Sequence, residues 1–231
     1  MPKIQTQFLS PEDIDKAVAT ELMRFTSIYG AGIPIDPEKL LEAEYGMQII
    51  PLPGLKALGV DCSLSRDGTT IVVDQNDYEN DRMTSRLRFS FAHELGHKIL
   101  HERYLWNIES LTDQQLEWLE RQANMFAAHF LMPKSILLGV IASEVLERFD
   151  SIATAKLTLQ ACVEFRTANL AGYFGVSTDA MRHRIQNIDL REVLKGPYVS
   201  QQDKERFVEL AAVVEKVEAN NWAIKRSPLS I

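Results

Sequence analysis

The sequence predicts an α+β fold: a predominantly helical core with a small antiparallel sheet, followed by a helix-turn-helix-like helical module. Three observations carry this expectation. Apolar residues recur at helical spacing through most of the 231 residues, with capping signals where the helices begin. The period changes to two only between Met47 and Asp74. Leu170-Ala171, Phe174-Gly175-Val176, Ser177 and Met181 then follow the helix-turn-helix pattern, with glycine at the turn. The division expected is a core over 1–150, the helical module over 151–195, and a C-terminal helix and tail over 196–231. Its boundaries fall near Asp150-Ser151 and Gly196-Pro197.

The elements follow in order. Ser10-Pro11-Glu12-Asp13 is a helix start, with Ser10 as N-cap and proline at the first helical position, and the helix runs towards Tyr29-Gly30. Asp36-Pro37-Glu38 opens a short helix ending near Gly46. Met47–Leu52, Gly59–Ser65 and Thr69–Asp74 read as strands, the last rich in β-branched residues, and Asp67-Gly68 is a hairpin turn between the last two. From Asp81 a helix continues through His101, with apolar or small residues round most of its circumference, which predicts burial. Thr112-Asp113-Gln114-Gln115 is a capping box for a helix that runs through Phe130 to a stop at Pro133. Further helices are expected at about 135–149, 153–173, 178–187 and 201–221. In the last of these, Phe207, Leu210, Val214 and Val217 form a packing stripe.

The bulk composition, 45% hydrophobic and 25% charged, is that of a globular protein. A net charge of -7 argues against broad nucleic-acid binding, which needs a basic surface to displace counterions. The two cysteines, Cys62 and Cys162, stand in no metal-ligand spacing and read as reduced thiols. The N-terminal MPKIQTQFLSPEDIDKA has no apolar signal-peptide core, and no later stretch approaches the roughly 18 apolar residues of a membrane span, so the expected location is cytoplasmic.

The chemistry is concentrated in His93-Glu94-Leu95-Gly96-His97. Four residues apart on a helix, His93 and His97 project from one face about one turn, roughly 6 Å, from each other, so both rings can reach one metal ion. Glu94 lies about 100° round the helix, close enough to touch a metal-bound water without becoming a ligand, which is the place of a general base. Composition alone produces this pattern in on the order of one such chain in a hundred, so its buried helical setting matters. Gly96 lets another backbone approach closely. The competing reading is a pair of core histidines beside a surface glutamate.

Catalytic zinc usually has three protein ligands and an open fourth position. His101 lies roughly 12 Å along the axis from His93, too far to share an ion, and is given a supporting role behind the ligands. Glu120 is the better third ligand: it sits on the next helix beside the stripe Leu116, Leu119, Ala123, Phe126 and Phe130. Asn124 shares its face and can accept a hydrogen bond from a ligand histidine, fixing the tautomer. Glu117, one turn earlier, is the rival, and His129 reads as a packed histidine. One metal ion per chain is expected; two histidines and a carboxylate suit Zn2+, with Mn2+, iron or cobalt as alternatives.

Arg86-Leu87-Arg88-Phe89 leads into Ala92-His93-Glu94-Leu95-Gly96-His97 and Leu100-His101, and Glu120-x-x-Ala123-Asn124-x-Phe126-Ala127-Ala128 runs on to Leu131-Met132-Pro133. With Asp36–Leu41, Thr70–Asp74 and Leu170–Ser177, these motifs resemble the ImmA/IrrE family of metallopeptidases over roughly 36–187. The resemblance implies a gluzincin-like peptidase fold with His93, His97 and Glu120 on zinc and Glu94 as base. It further implies a protein substrate, a helix-turn-helix transcriptional repressor whose cleavage releases genes in stress responses or on mobile elements. The alternative is a non-catalytic, metal-containing regulator that binds a repressor or DNA. For the helix-turn-helix-like module, Arg182, Arg184 and Arg191 suit a DNA-recognition helix. The contrary reading is a module that packs on the peptidase or grips its substrate, and the acidic chain favours it.

Overall fold

The computed structural model describes residues 9–79, 83–146, 163, 166–189 and 192. The expected helix at 201–221 with its apolar stripe, Cys162, Arg191 and much of the 153–173 helix lie outside the described residues. The chain divides into two compact units, residues 1–133 with 171–180 and residues 134–170 with 181–231.

The first unit begins with α1 (Pro11–Tyr29), whose start is closed by a reciprocal capping box between Ser10 and Asp13. Its buried face is Ile14, Val18, Glu21 and Phe25, and Phe25 meets Phe130 edge-on at 6.4 Å between ring centres. A single turn, α2 (Pro37–Lys39), passes into a π-helical turn over Leu40–Glu44 that buries Leu40 and Leu41 completely.

The three strands are β1 (Gln48–Leu52), β2 (Cys62–Leu64) and β3 (Thr70–Asp74), in the order β1-β3-β2. β2 and β3 form the expected antiparallel hairpin, with Ser63 opposite Val72 and the turn closed by Gly68 N–H on Ser65 O. β1, however, runs parallel to β3, with Ile50 opposite Val72, so the sheet is mixed rather than antiparallel. Alternation of side chains has period two whichever way a neighbour runs, and therefore carries no information on direction. The β-branched β3, with Ile71 and Val73 fully buried, is the central strand; the edges are β1 and β2.

After the short α3 (Gln75–Tyr78), the helix expected from Asp81 begins at Ser85, capped by Thr84, and runs to Leu105 as α4. The cap displaces the start because the Thr84 hydroxyl accepts from Leu87 N–H, which only a non-helical residue can do. α5 (Asp113–Leu131) starts at the Thr112–Gln115 capping box and buries Leu119, Gln122, Ala123, Phe126 and Phe130. α4 and α5 pack face to face at Gly96: a Cβ there would lie 3.2 Å from the Ala123 Cα and carbonyl oxygen.

α6 (Lys134–Leu146) lies in the second unit and buries Leu137, Leu138, Ile141 and Ala142. Arg166 pairs with Glu144 at 3.6 Å there, and Lys134 with Glu192 at 2.8 Å. α7 (Thr167–Phe174) and α8 (Thr178–Gln186) are joined by a tight turn at Gly175, φ +61°. That turn belongs to the first unit, where the Gly175 carbonyl accepts from Arg88 Nε of α4 at 3.1 Å. Arg184 on α8 is buried, whereas Arg182 is exposed. No single helix among the described residues is long and apolar enough to cross a membrane.

Candidate metal centre

α4 and α5 bring three donor groups together. His93 and His97 project from one face of α4 with their Nε2 atoms 3.0 Å apart. Glu120 reaches across from α5, Oε2 at 3.2 Å from His93 Nε2 and Oε1 at 3.4 Å from His97 Nε2. Ligand atoms around a tetrahedral ion at about 2.0–2.1 Å must stand about 3.3–3.4 Å apart, so these separations suit a single ion and the three could hold one metal. Glu120 remains half-exposed, which keeps one side of the group open to the cleft. Glu117, its rival, points elsewhere and pairs with Arg121 one turn on. His129 pairs with Asp15 of α1 rather than with this group.

Behind the donors the second ring nitrogens are also engaged. His93 Nδ1 lies 3.1 Å from Asn124 Oδ1. His97 Nδ1 lies 3.1 Å from Nδ1 of His101, whose Nε2 lies 2.9 Å from Gln122 Oε1. His101 has no exposed surface, and burial lowers its pKa to about 4, so it is neutral at physiological pH. Its place behind His97, rather than among the donors, agrees with the pitch of the helix.

Glu94 is buried beside the histidines, and the first unit's edge strand holds it. Asp74 N–H donates to Asp61 O at 2.9 Å and Ser65 N–H to Thr70 O at 2.7 Å, so these residues of the β2 segment face β3. Alternation turns the backbone groups of Cys62 and Leu64 the other way. Leu64 N–H duly donates to Glu94 Oε2 at 2.9 Å, and Cys62 Sγ lies 3.9 Å from Oε1. The strand beside the site is therefore β2, at an edge of the sheet, while β3 occupies its centre.

Electrostatics separate the two glutamates. Burial raises the Glu94 pKa, against the lowering effect of His97 and His93. Hydrogen bonds from His93 and His97, whose Nε2 protons a bound metal would replace, hold the Glu120 carboxyl well below the usual range. For His93, burial acts to lower the pKa, but the bond to Glu120 and the charges of Glu94 and Glu120 outweigh it and the net shift is upward. Burial also raises the Cys62 thiol, with the Glu94 charge adding to the effect, so it is protonated. These groups line a cleft of about 440 Å³ between β2 and the helices, walled by Val60, Leu64, Phe89, Leu105 and Ile108.

Sequence reasoning missed the Leu64 amide, the Cys62 thiol and Gln122. Only Gln122 left a signal, a polar residue inside the apolar stripe of α5.

Among solved structures the chain is similar in fold to a Mycobacterium tuberculosis transcriptional regulator, with a TM-score of 0.51 and 16% identity. The likeness covers 80% of this chain and 48% of that one, so this chain spans about half of its length. No curated protein sequence matches. The sequence profile of Peptidase_M78, the IrrE N-terminal-like domain, matches residues 43–186. That stretch is more than half of the chain and contains every donor described above, and the chain belongs to the IrrE N-terminal-like domain family of peptidases.

Proposed function

We propose that the chain is a zinc-dependent endopeptidase that cleaves a helix-turn-helix transcriptional repressor and so derepresses genes in a stress response or on a mobile element. The observation that carries the hydrolytic part is the convergence of two imidazoles and a carboxylate beside a buried, separately held Glu94. When bound, zinc supplies Lewis acidity: it polarises the scissile carbonyl and lowers the pKa of a water molecule to about 7. Glu94, its carboxylate held by the Leu64 amide, takes the proton of the attacking water. It keeps that proton until the C–N bond breaks and the leaving nitrogen receives it. A purely structural metal has no use for such a base.

The substrate assignment rests on the family and on charge. A chain of net charge -7 attracts a basic DNA-binding partner and steers its approach. The outward Cys62 N–H and C=O of β2 suit an extended segment adding to the edge, so a cut in a linker is expected rather than one inside a packed helix. Burial of Arg184 removes one of the cations that a DNA-recognition helix would offer, which favours a protein-gripping role for α7 and α8.

The test is co-expression with a repressor encoded nearby. One discrete cleavage is expected, lost by at least about two orders of magnitude in Glu94→Gln while the metal content stays at the parent level. A repressor that stays intact under activating stress, while generic peptides are degraded, would leave a housekeeping peptidase. Derepression without cleavage, equal in the parent and Glu94→Gln, would leave the non-catalytic regulator.

A further inference from the structure

A histidine binds a metal only through a nitrogen that carries no proton, so each ligand ring must be held in one of its two neutral tautomers. His93 has a direct means of this in Asn124, whose Oδ1 lies 3.1 Å from His93 Nδ1. Among the described residues no side-chain amide meets His97. Its Nδ1 faces another imidazole, which by symmetry is either donor or acceptor, so the pair alone leaves the tautomer of His97 open.

We propose that Gln122 and His101 are positioning residues that settle this choice: Gln122 Oε1 accepts from His101 Nε2–H, His101 Nδ1 accepts from His97 Nδ1–H, and His97 Nε2 keeps its lone pair towards Glu120 and His93. The inference rests on the metal reading under Proposed function.

The direction follows from the chemistry at the far end. A carbonyl oxygen can only accept, so at 2.9 Å the His101 Nε2 must carry the proton. A neutral imidazole has a single N–H, which leaves His101 Nδ1 as an acceptor. The 3.1 Å contact then needs the proton on His97 Nδ1. Turned about, the Gln122 amide would donate, and the row would reverse and place a proton on His97 Nε2. That atom faces His93 Nε2 at 3.0 Å and could not ligate.

Burial makes the row effective. His101 is fully buried and Gln122 is 7% exposed, so a lost partner has no ready replacement in solvent. α5 thus contributes twice, Glu120 to the donor group and Gln122, two residues on, to the row behind it. An ordinary buried polar pair would satisfy itself equally well in either direction; only a row that serves His97 requires this one.

The direct test uses the full chain loaded with zinc. Long-range 1H–15N correlations assign the tautomers, with His101 expected to be protonated at Nε2 and His97 at Nδ1. A His101 protonated at Nδ1 overturns the proposal, and this readout needs no variant that could fail to fold. Chelator competition supplies the second arm. Gln122→Glu, an acceptor of the same size, should hold zinc within a few-fold of the parent, whereas Gln122→Met should lose about 10–100-fold in affinity. Loss of equal size in both variants, or affinity that merely follows the melting temperature of the metal-free protein, makes the pair structural only. If the parent holds no zinc, the metal reading falls and takes this one with it. If the parent and Gln122→Met hold zinc equally tightly, the row alone is refuted.

Discussion

Glu117 and Glu120 lie within one turn of each other on α5, yet only Glu120 meets the histidines. The sequence favoured Glu120 because it shares a face with Asn124, and that phase depends only on residues within two turns. The expected outcome is that His93→Ala, His97→Ala and Glu120→Ala each lose most of the bound metal after dialysis, whereas Glu117→Ala retains it, as measured by elemental analysis. The exposed Glu117–Arg121 pair should cost less than about 1 kcal/mol to break. Retention of metal by Glu120→Ala together with its loss in Glu117→Ala would reverse the ligand assignment. Gln122 was harder to find, because its partner His101 is 21 residues away in sequence.

At the scale of elements, the site depends on how closely α4 and α5 approach. Gly96 is the point of contact, and its place inside the histidine pair made that role legible beforehand. A Cβ there would meet the Ala123 backbone and Phe126 Cβ at 3.2 Å, so a neighbour must give by a few tenths of an ångström. Gly96→Ala gains about 1 kcal/mol of helix propensity but costs about 1–3 kcal/mol in overpacking, and the second effect should win. The displacement would also carry Glu120 away from the histidines. Both the denaturation midpoint and the metal affinity are therefore expected to fall; a more stable variant with unchanged affinity would show that α5 is free to shift. β2 was less legible. Its three residues put Cys62 and Leu64 on one half-buried face and Ser63 on the other, but so short a run does not say which strand lies beside it.

Across the whole molecule, Arg88 joins segments that are distant in sequence. Its guanidinium donates to the carbonyls of Ile35 at 2.9 Å and Gly175 at 3.1 Å, five residues before His93 on the same helix. At Gly175 a Cβ would lie 2.8 Å from Arg88 Nε and 3.0 Å from Pro34 Cβ, on a backbone already at φ +61°. Gly175→Ala should therefore destabilise by roughly 2–4 kcal/mol, read as a lower urea midpoint. A midpoint at the parent value would mean that the Arg88 tie contributes nothing to the fold. What could be read in advance was whatever depends on a turn or two of chain: Ser10, Asp67-Gly68, the Thr112 capping box, the His93–His97 spacing and the face of Glu120. The reason is that capping bonds and helical faces link residues three or four apart, and the intervening chain holds their geometry. The parallel seat of β1, the edge position of β2 beside Glu94, the row from His97 to Gln122 and the Arg88 tie emerged only on folding. Each joins groups many residues apart, and alternation or composition names neither the partner nor the direction from which it arrives.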